Sequence, residues 1–200
     1  MMPEMGEIVE DRTLTFGTGD EEISVLLLKQ EIGRGLIGMI QSRLFEGNVA
    51  LVVLHDKPED DDFDMAYHGH SLDGQAERVG MEEALIDGLR KETDEALFVL
   101  FHELGHLVNH DAIATGDAFD AYMQERKDFV GSGKVLEIEL RADDFAARYF
   151  GSKRVINGLT ALMEREKAYY SPEVYDPDEI ETTLAEMRLR IHHQENKREA

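Results

Sequence analysis

The chain reads as an α+β protein, a small N-terminal β-sheet packed on a helical half. Three observations predict this. Segments with strand-like alternation or valine-rich runs lie before Leu72. Segments with helical periodicity follow from Gly80 onward. No unit repeats along the chain, which sets aside solenoids and propellers.

Taken in order, Arg12 to Phe16 alternates and reads as a short strand. Ile23 to Gln41 mixes apolar residues with Gly33, Gly35 and Gly38, and its class is open. Apolar residues at Leu27, Leu28, Ile32, Leu36, Ile37 and Ile40 fit a helix from about Glu21 through Leu44. Asn48 to His55 is valine-rich and reads as a buried strand. Asp56 to Asp64 carries Pro58 and an acidic run; it lacks the glycine and terminal glutamate of an EF-hand and reads as a solvated loop. Met65 to Leu72 alternates as a second strand would, which would put His68 and His70 on one face. Gly80 to Arg90 reads as a helix or a helical lead-in, and Glu92 to Asp111 as one helix. Ala112 to Gly116 is a turn, Phe119 to Val130 a helix, and Gly131-Ser132-Gly133 a break. Val135 to Phe150 is a helix stopped by Gly151. Ser152 to Tyr170 is another. Ser171 to Pro177 is a loop, and Asp178 to Gln194 is a last helix fraying into a charged tail.

Two hundred residues with 42% hydrophobic content suit one domain, 1–200, with a core of its own. No apolar run of about 18 residues exists, so no membrane span is expected. The start, Met1-Met2-Pro3-Glu4, is acidic and lacks the basic-then-apolar order of a secretion signal. There are no cysteines, so disulfides and thiolate zinc sites are excluded and a cytoplasmic location is the default. The net charge of −22 repels phosphate backbones, which argues against a nucleic-acid partner and favours basic ones.

Chemistry enters at Phe101-His102-Glu103-Leu104-Gly105-His106, which contains H-E-x-x-H. Two histidines four apart on a helix can hold one zinc ion, and the glutamate beside the first can act as a base on water. With eight histidines in the chain the motif can arise by chance, so it needs a helix with suitable faces. Leu97, Leu100, Phe101, Leu104, Leu107 and Val108 share one apolar stripe. With His102 at zero, His106, His110 and Glu103 fall near ~40°, ~80° and ~100°, turned away from that stripe toward a cleft. Gly105 costs about 1 kcal/mol of helix propensity relative to alanine and leaves room for a close approach.

A catalytic zinc site needs three protein ligands and an open position. The helix carrying Glu139-Leu140-Arg141-Ala142-Asp143-Asp144 offers Glu139 and Asp143 four apart, with Ala142 and Ala146 small enough for close helix contact. Glu139 can complete the ligand set, and Asp143 can accept from the outer nitrogen of a ligand histidine. His110, Glu137, Asp143 and Asp144 are the other candidates for third ligand. The metzincin pattern is absent, since Asn109 and Ala112 stand where its glycine and third histidine would be.

H-E-L-G-H followed some thirty residues later (about a helix, a short helix and a turn) by E-x-x-A-D and F-A-A resembles the gluzincin metallopeptidases. The ImmA/IrrE-like group and a soluble minigluzincin or HtpX-like member fit best. The resemblance covers residues 92–150 as a motif core and leaves 152–200 as a C-terminal helical extension. It implies a zincin-like fold with His102, His106 and Glu139 as zinc ligands, Glu103 as the catalytic base, and Asp143 and His110 around them. His110 matches the H-E-L-G-H-x-x-x-H extension common in ImmA/IrrE-like chains. The expected function is a soluble zinc endopeptidase of restricted specificity acting on a protein or peptide, a basic one being favoured by charge. The alternative is a zinc-binding regulatory protein that keeps the fold without proteolysis. A third reading is an acidic domain with a fortuitous motif. For the oxyanion donor, His68, His70, Tyr149, Tyr169 and Tyr170 all stand open; His192 and His193 read as incidental.

Overall fold

The computed structural model describes residues 9–32, 35–45, 47–54, 66–70, 77–111, 117–169 and 177–199. The loop read at Asp56 to Asp64, the turn at Ala112 to Gly116, Tyr170 and all of the Ser171 to Pro177 loop before its last residue lie outside them. The chain divides into two compact units, residues 1–92 and 93–200. No helix among the described residues is long and apolar enough to cross a membrane.

The described residues of the first unit form a six-stranded sheet, one α-helix and a short 3-10 turn at Gly19–Glu21. Strands β1 (Glu10–Phe16), β2 (Ile23–Ile32), β3 (Leu36–Ser42) and β4 (Val49–Leu54) form an antiparallel meander. Strand β6 (Glu77–Glu82) then pairs parallel to β4, and β5 (Ala66–His70) lies outside it, antiparallel, giving the order β1-β2-β3-β4-β6-β5. Two rows cross one face of the sheet. Leu14, Val25, Ile40 and Val49 form the first; Leu27, Gly38, Leu51 and Val79 form the second. All eight residues are buried. Helix α1 (Glu83–Arg90) buries Leu85, Ile86 and Leu89 and packs on β4 and β6.

Two expectations change here. The segment weighed as a helix from Glu21 through Leu44 is the β2–β3 hairpin. Its apolar residues matched a helical period because both faces of these strands bury them: Leu27 on one side, Leu28 and Ile37 on the other. Gly38 sits where β2 and β3 approach closely, and a Cβ there would stand 2.4 Å from the Leu26 carbonyl oxygen. The helical lead-in expected from Gly80 is strand as far as Glu82, and the helix begins at Glu83.

The second unit is helical: α2 (Asp94–Asn109), α3 (Asp117–Gly131), α4 (Glu137–Phe150), α5 (Ser152–Tyr169) and α6 (Pro177–Glu199). The Thr93 hydroxyl caps α2 by accepting from the Ala96 amide. Helix α2 packs on α4 and α5, while α6 packs on α5 and α3. α2 is buried from Ala96 through Leu100 and again at Phe101, His102, Leu104, Gly105 and His106. It is therefore a central helix, with His102 and His106 on its polar side buried as well as its apolar stripe.

Two glycines make that centrality possible. A Cβ on Gly105 would stand 2.8 Å from the Ala142 Cα of α4; one on Gly158 of α5 would stand 2.5 Å from the Phe98 Cβ of α2. Around the first contact Phe101 packs on Phe145, Tyr149 and Phe150, with ring centroids 6.4, 4.9 and 5.4 Å away. Alanine improves helix propensity by about 1 kcal/mol, but overpacking against backbone costs more. Gly105→Ala and Gly158→Ala should each lower unfolding stability by about 1–2 kcal/mol net in denaturant titration. A gain in stability would mean that the helices can separate freely.

Candidate metal centre

Helical geometry delivers the site. His102 and His106 lie one turn apart on α2, and Glu139 and Asp143 one turn apart on α4. The Gly105–Ala142 contact brings these two faces together. All four side chains are buried: relative exposures are 9% for His102, 6% for His106, 8% for Glu139 and 0% for Asp143.

The inner atoms converge. His102 Nε2 is 3.1 Å from His106 Nε2 and 3.2 Å from Glu139 Oε2, and His106 Nε2 is 3.7 Å from Glu139 Oε1. Donors at 2.0–2.2 Å from a tetrahedral metal ion stand roughly 3.3 Å apart, so the three residues fit around one ion. They form a group able to hold a metal ion.

The outer atoms explain why a cation is wanted. His102 Nδ1 is 3.0 Å from Asp143 Oδ1, and His106 Nδ1 is 3.0 Å from Asp111 Oδ2. An ionised carboxylate only accepts, so each Nδ1–H donates outward and each neutral ring turns a lone pair at Nε2 toward the other. Two lone pairs and a carboxylate at these separations repel unless positive charge lies among them.

In the metal-free protein a proton supplies that charge. Burial and the charge of Arg190 both oppose a charged His102, yet hydrogen bonds to Asp143 and Glu139 outweigh them, and its pKa is raised to about 9. Burial, then the neighbouring charge of His102, lowers that of His106. Burial would raise the carboxyl of Glu139, but the hydrogen bond and charge of His102, with Arg190 and His106, hold it well below the usual range. Asp143 is likewise opposed by burial and held low, here chiefly by Arg190.

Further side chains complete the shell. Arg190 of α6 donates from Nε and Nη2 to Asp143 Oδ2 and Oδ1, at 2.8 and 2.5 Å. Arg141 Nη2 donates to Asp111 Oδ1 at 2.7 Å. The Tyr122 hydroxyl of α3 donates to Glu139 Oε1 at 2.9 Å. Burial first, and the charge of Glu139 second, push the Tyr122 hydroxyl pKa up, so it stays protonated.

The expected residues can now be located. His102, His106, Glu139 and Asp143 meet in one cluster. Glu103 is half-buried on α2, and its charge acts on His106. His110, expected beside the ligands, instead ends α2 as an exposed C-cap in the left-handed region at φ 55°. That turn carries Asp111 back to the His106 ring. Glu137 and Asp144 lie outside the cluster; Asp144 binds Gln194 and Lys197. Tyr149 packs on Phe101 and Phe145. His68 and His70 lie on β5, paired opposite Val79 and Glu77; their side chains and that of Tyr169 are outside the described residues. The reading from sequence missed Asp111, Arg190 and Tyr122. A signal existed for Arg190, since Glu186, Arg190 and Gln194 recur at helical spacing in α6. No protein-family model matches the chain, and no curated protein or solved structure is significantly similar to it.

Two outcomes are expected. Asp111→Ala should weaken metal binding about 10–100-fold, while His110→Gly, which suits the left-handed cap, should leave it within about threefold in chelator competition. The pH profile of the metal-free protein follows from the signs above. Carboxyls with lowered pKa stabilise above their unfolded values, 4.5 for Glu139 and 3.8 for Asp143, and lose that contribution as pH falls below them. His102, raised, stabilises below its unfolded value of 6.5 and loses that contribution as pH rises through about 9. His106, lowered by burial, stabilises above its unfolded value of 6.5 and loses that contribution as pH falls, so melting temperature should peak near pH 6.5 and fall on both sides. A rise between pH 6.5 and 9 in the chelated protein would contradict these assignments.

Proposed function

We propose that the chain is a zinc-dependent endopeptidase of restricted specificity, built on the gluzincin arrangement that its motifs resemble. The observation that carries this reading is the buried His102–His106–Glu139 cluster with Glu103 adjoining it on the same helix. Two imidazoles and a carboxylate are a donor set that zinc takes in hydrolases, and three protein ligands leave one position for water or substrate. A purely structural zinc site takes four protein ligands and has no use for a neighbouring base.

When bound, zinc would polarise the scissile carbonyl and make a water more acidic. Glu103 accepts the proton of the attacking water and passes it to the departing amine as the peptide C–N bond breaks. His102 and His106 stay neutral donors because Asp143 and Asp111 hold their outer protons. Tyr122 and Arg190 hold the two oxygens of Glu139, which keeps that carboxylate beside the two histidines, where it would serve as the third ligand. The acidic surface favours substrates with basic character, and nothing in its charge favours nucleic acid.

Purified protein should carry one tight zinc per chain, and His102→Ala should carry much less. Glu103→Gln should keep the metal while cleavage falls about 10²–10⁴-fold. Substrates should emerge as peptide termini present in cells expressing the wild type and missing with Glu103→Gln. Identical termini in the two, together with a bound partner that survives the substitution, would transfer the protein to the regulatory class. Absence of zinc would remove both metal readings.

A further inference from the structure

Helix α6 has an unusual interior face. Glu186, Arg190 and Gln194, each one turn from the next, are all buried. Each meets its own polar partner: Glu186 pairs with Arg126 of α3, Arg190 with Asp143, and Gln194 with Asp144. The middle pair touches the metal cluster. We propose that Arg190 is a positioning residue of the metal centre, holding Asp143 so that His102 presents Nε2 to the ion; this rests on the zinc reading above.

The geometry supports a two-point hold. The Arg190 fork engages both oxygens of Asp143, which fixes the plane of the carboxylate as well as its position. Asp143 Oδ1 thereby faces His102 Nδ1 at 3.0 Å. Guanidinium cannot accept a hydrogen bond, so once Nε2 binds metal the Nδ1 proton points to Asp143. Arg190 Nη1 is also 3.3 Å from Glu139 Oε2, so one side chain steadies a ligand directly and another ligand through a carboxylate. Its guanidinium lies 5.7 Å over the Phe98 ring, one turn from His102 on α2. The corresponding support of His106 is weaker. Asp111 receives Arg141 through one oxygen, and the Arg141 side chain is 46% exposed against 8% for Arg190. Water and salt screen the first pair and not the second.

The test uses the full-length chain loaded with zinc. Arg190→Lys keeps the charge but loses the fork; Arg190→Met removes both. Zinc affinity should fall about tenfold in the first and up to about 100-fold in the second. Long-range ¹H–¹⁵N spectra should show the His102 Nδ1–H tautomer in the wild type and its loss or exchange in the variants. Leu184→Ala removes apolar packing of α6 and leaves every charge around Asp143 in place. It should lower melting temperature and leave affinity and tautomer unchanged. If folded Arg190→Lys matches the wild type in both readouts, Arg190 merely anchors α6 and the inference is overturned, whether or not Arg190→Met folds. A wild type without zinc would overturn the functional reading and this inference together, whereas a zinc-loaded wild type matched by Arg190→Lys overturns this inference alone.

Discussion

The close contact of Gly105 with Ala142 governs everything around the candidate site. A helix pair separated by ordinary side chains would hold the two functional faces too far apart for one ion to bridge. The two helices share a pattern about this contact. His102 lies three residues before Gly105 and His106 one after; Glu139 lies three before Ala142 and Asp143 one after. A helix turns roughly 100° per residue, so these offsets place each functional pair on the same side of its small residue. One backbone approach thus aligns four polar side chains at once. The propensity given up at Gly105 is a cost borne locally for a geometry expressed across the cluster.

Burial then imposes a second requirement. Carboxylates and imidazoles taken out of water must be paired, or their desolvation would outweigh the packing that put them there. The chain meets this by alternation. Each histidine faces an aspartate, and each aspartate faces an arginine. Tyr122 adds a neutral donor to the carboxylate between them. The order positive–negative–ligand lets three acidic groups crowd the site while the inner faces of the rings remain open to a cation. α3 and α6, which carry no motif, are in this sense parts of the site.

What was legible in the sequence was what a single helix encodes. His102 with His106, and Glu139 with Asp143, are one-turn pairs on strongly periodic segments, and Ala142 marked a close-packing face. Asp111 was not legible because it acts from beyond a left-handed cap, where straight-helix geometry no longer applies. Tyr122 was missed because its partner is 17 residues away and nothing local names it; for Arg190 the one-turn row with Glu186 and Gln194 marks a polar face on α6, but not the partner 47 residues away. In the sheet, β2 and β3 bury residues on both faces, which erases the alternation that identifies a strand. Gly38, one of the glycines that left the class of this segment open, is a place where strand backbone and side chains crowd together.

The polar face of α6 also solves a problem of alignment. An apolar helix can slide by a turn on its neighbours and lose little, since one leucine replaces another. Glu186, Arg190 and Gln194 differ in charge, and each has a distinct counterpart. A slip of one turn would set Glu186 or Gln194 where Arg190 stands, leaving Asp143 and Glu139 without their cation in a dry interior. The helix is thereby indexed along its length, much as a key's notches admit one depth of insertion, and the depth admitted is the one that supports His102.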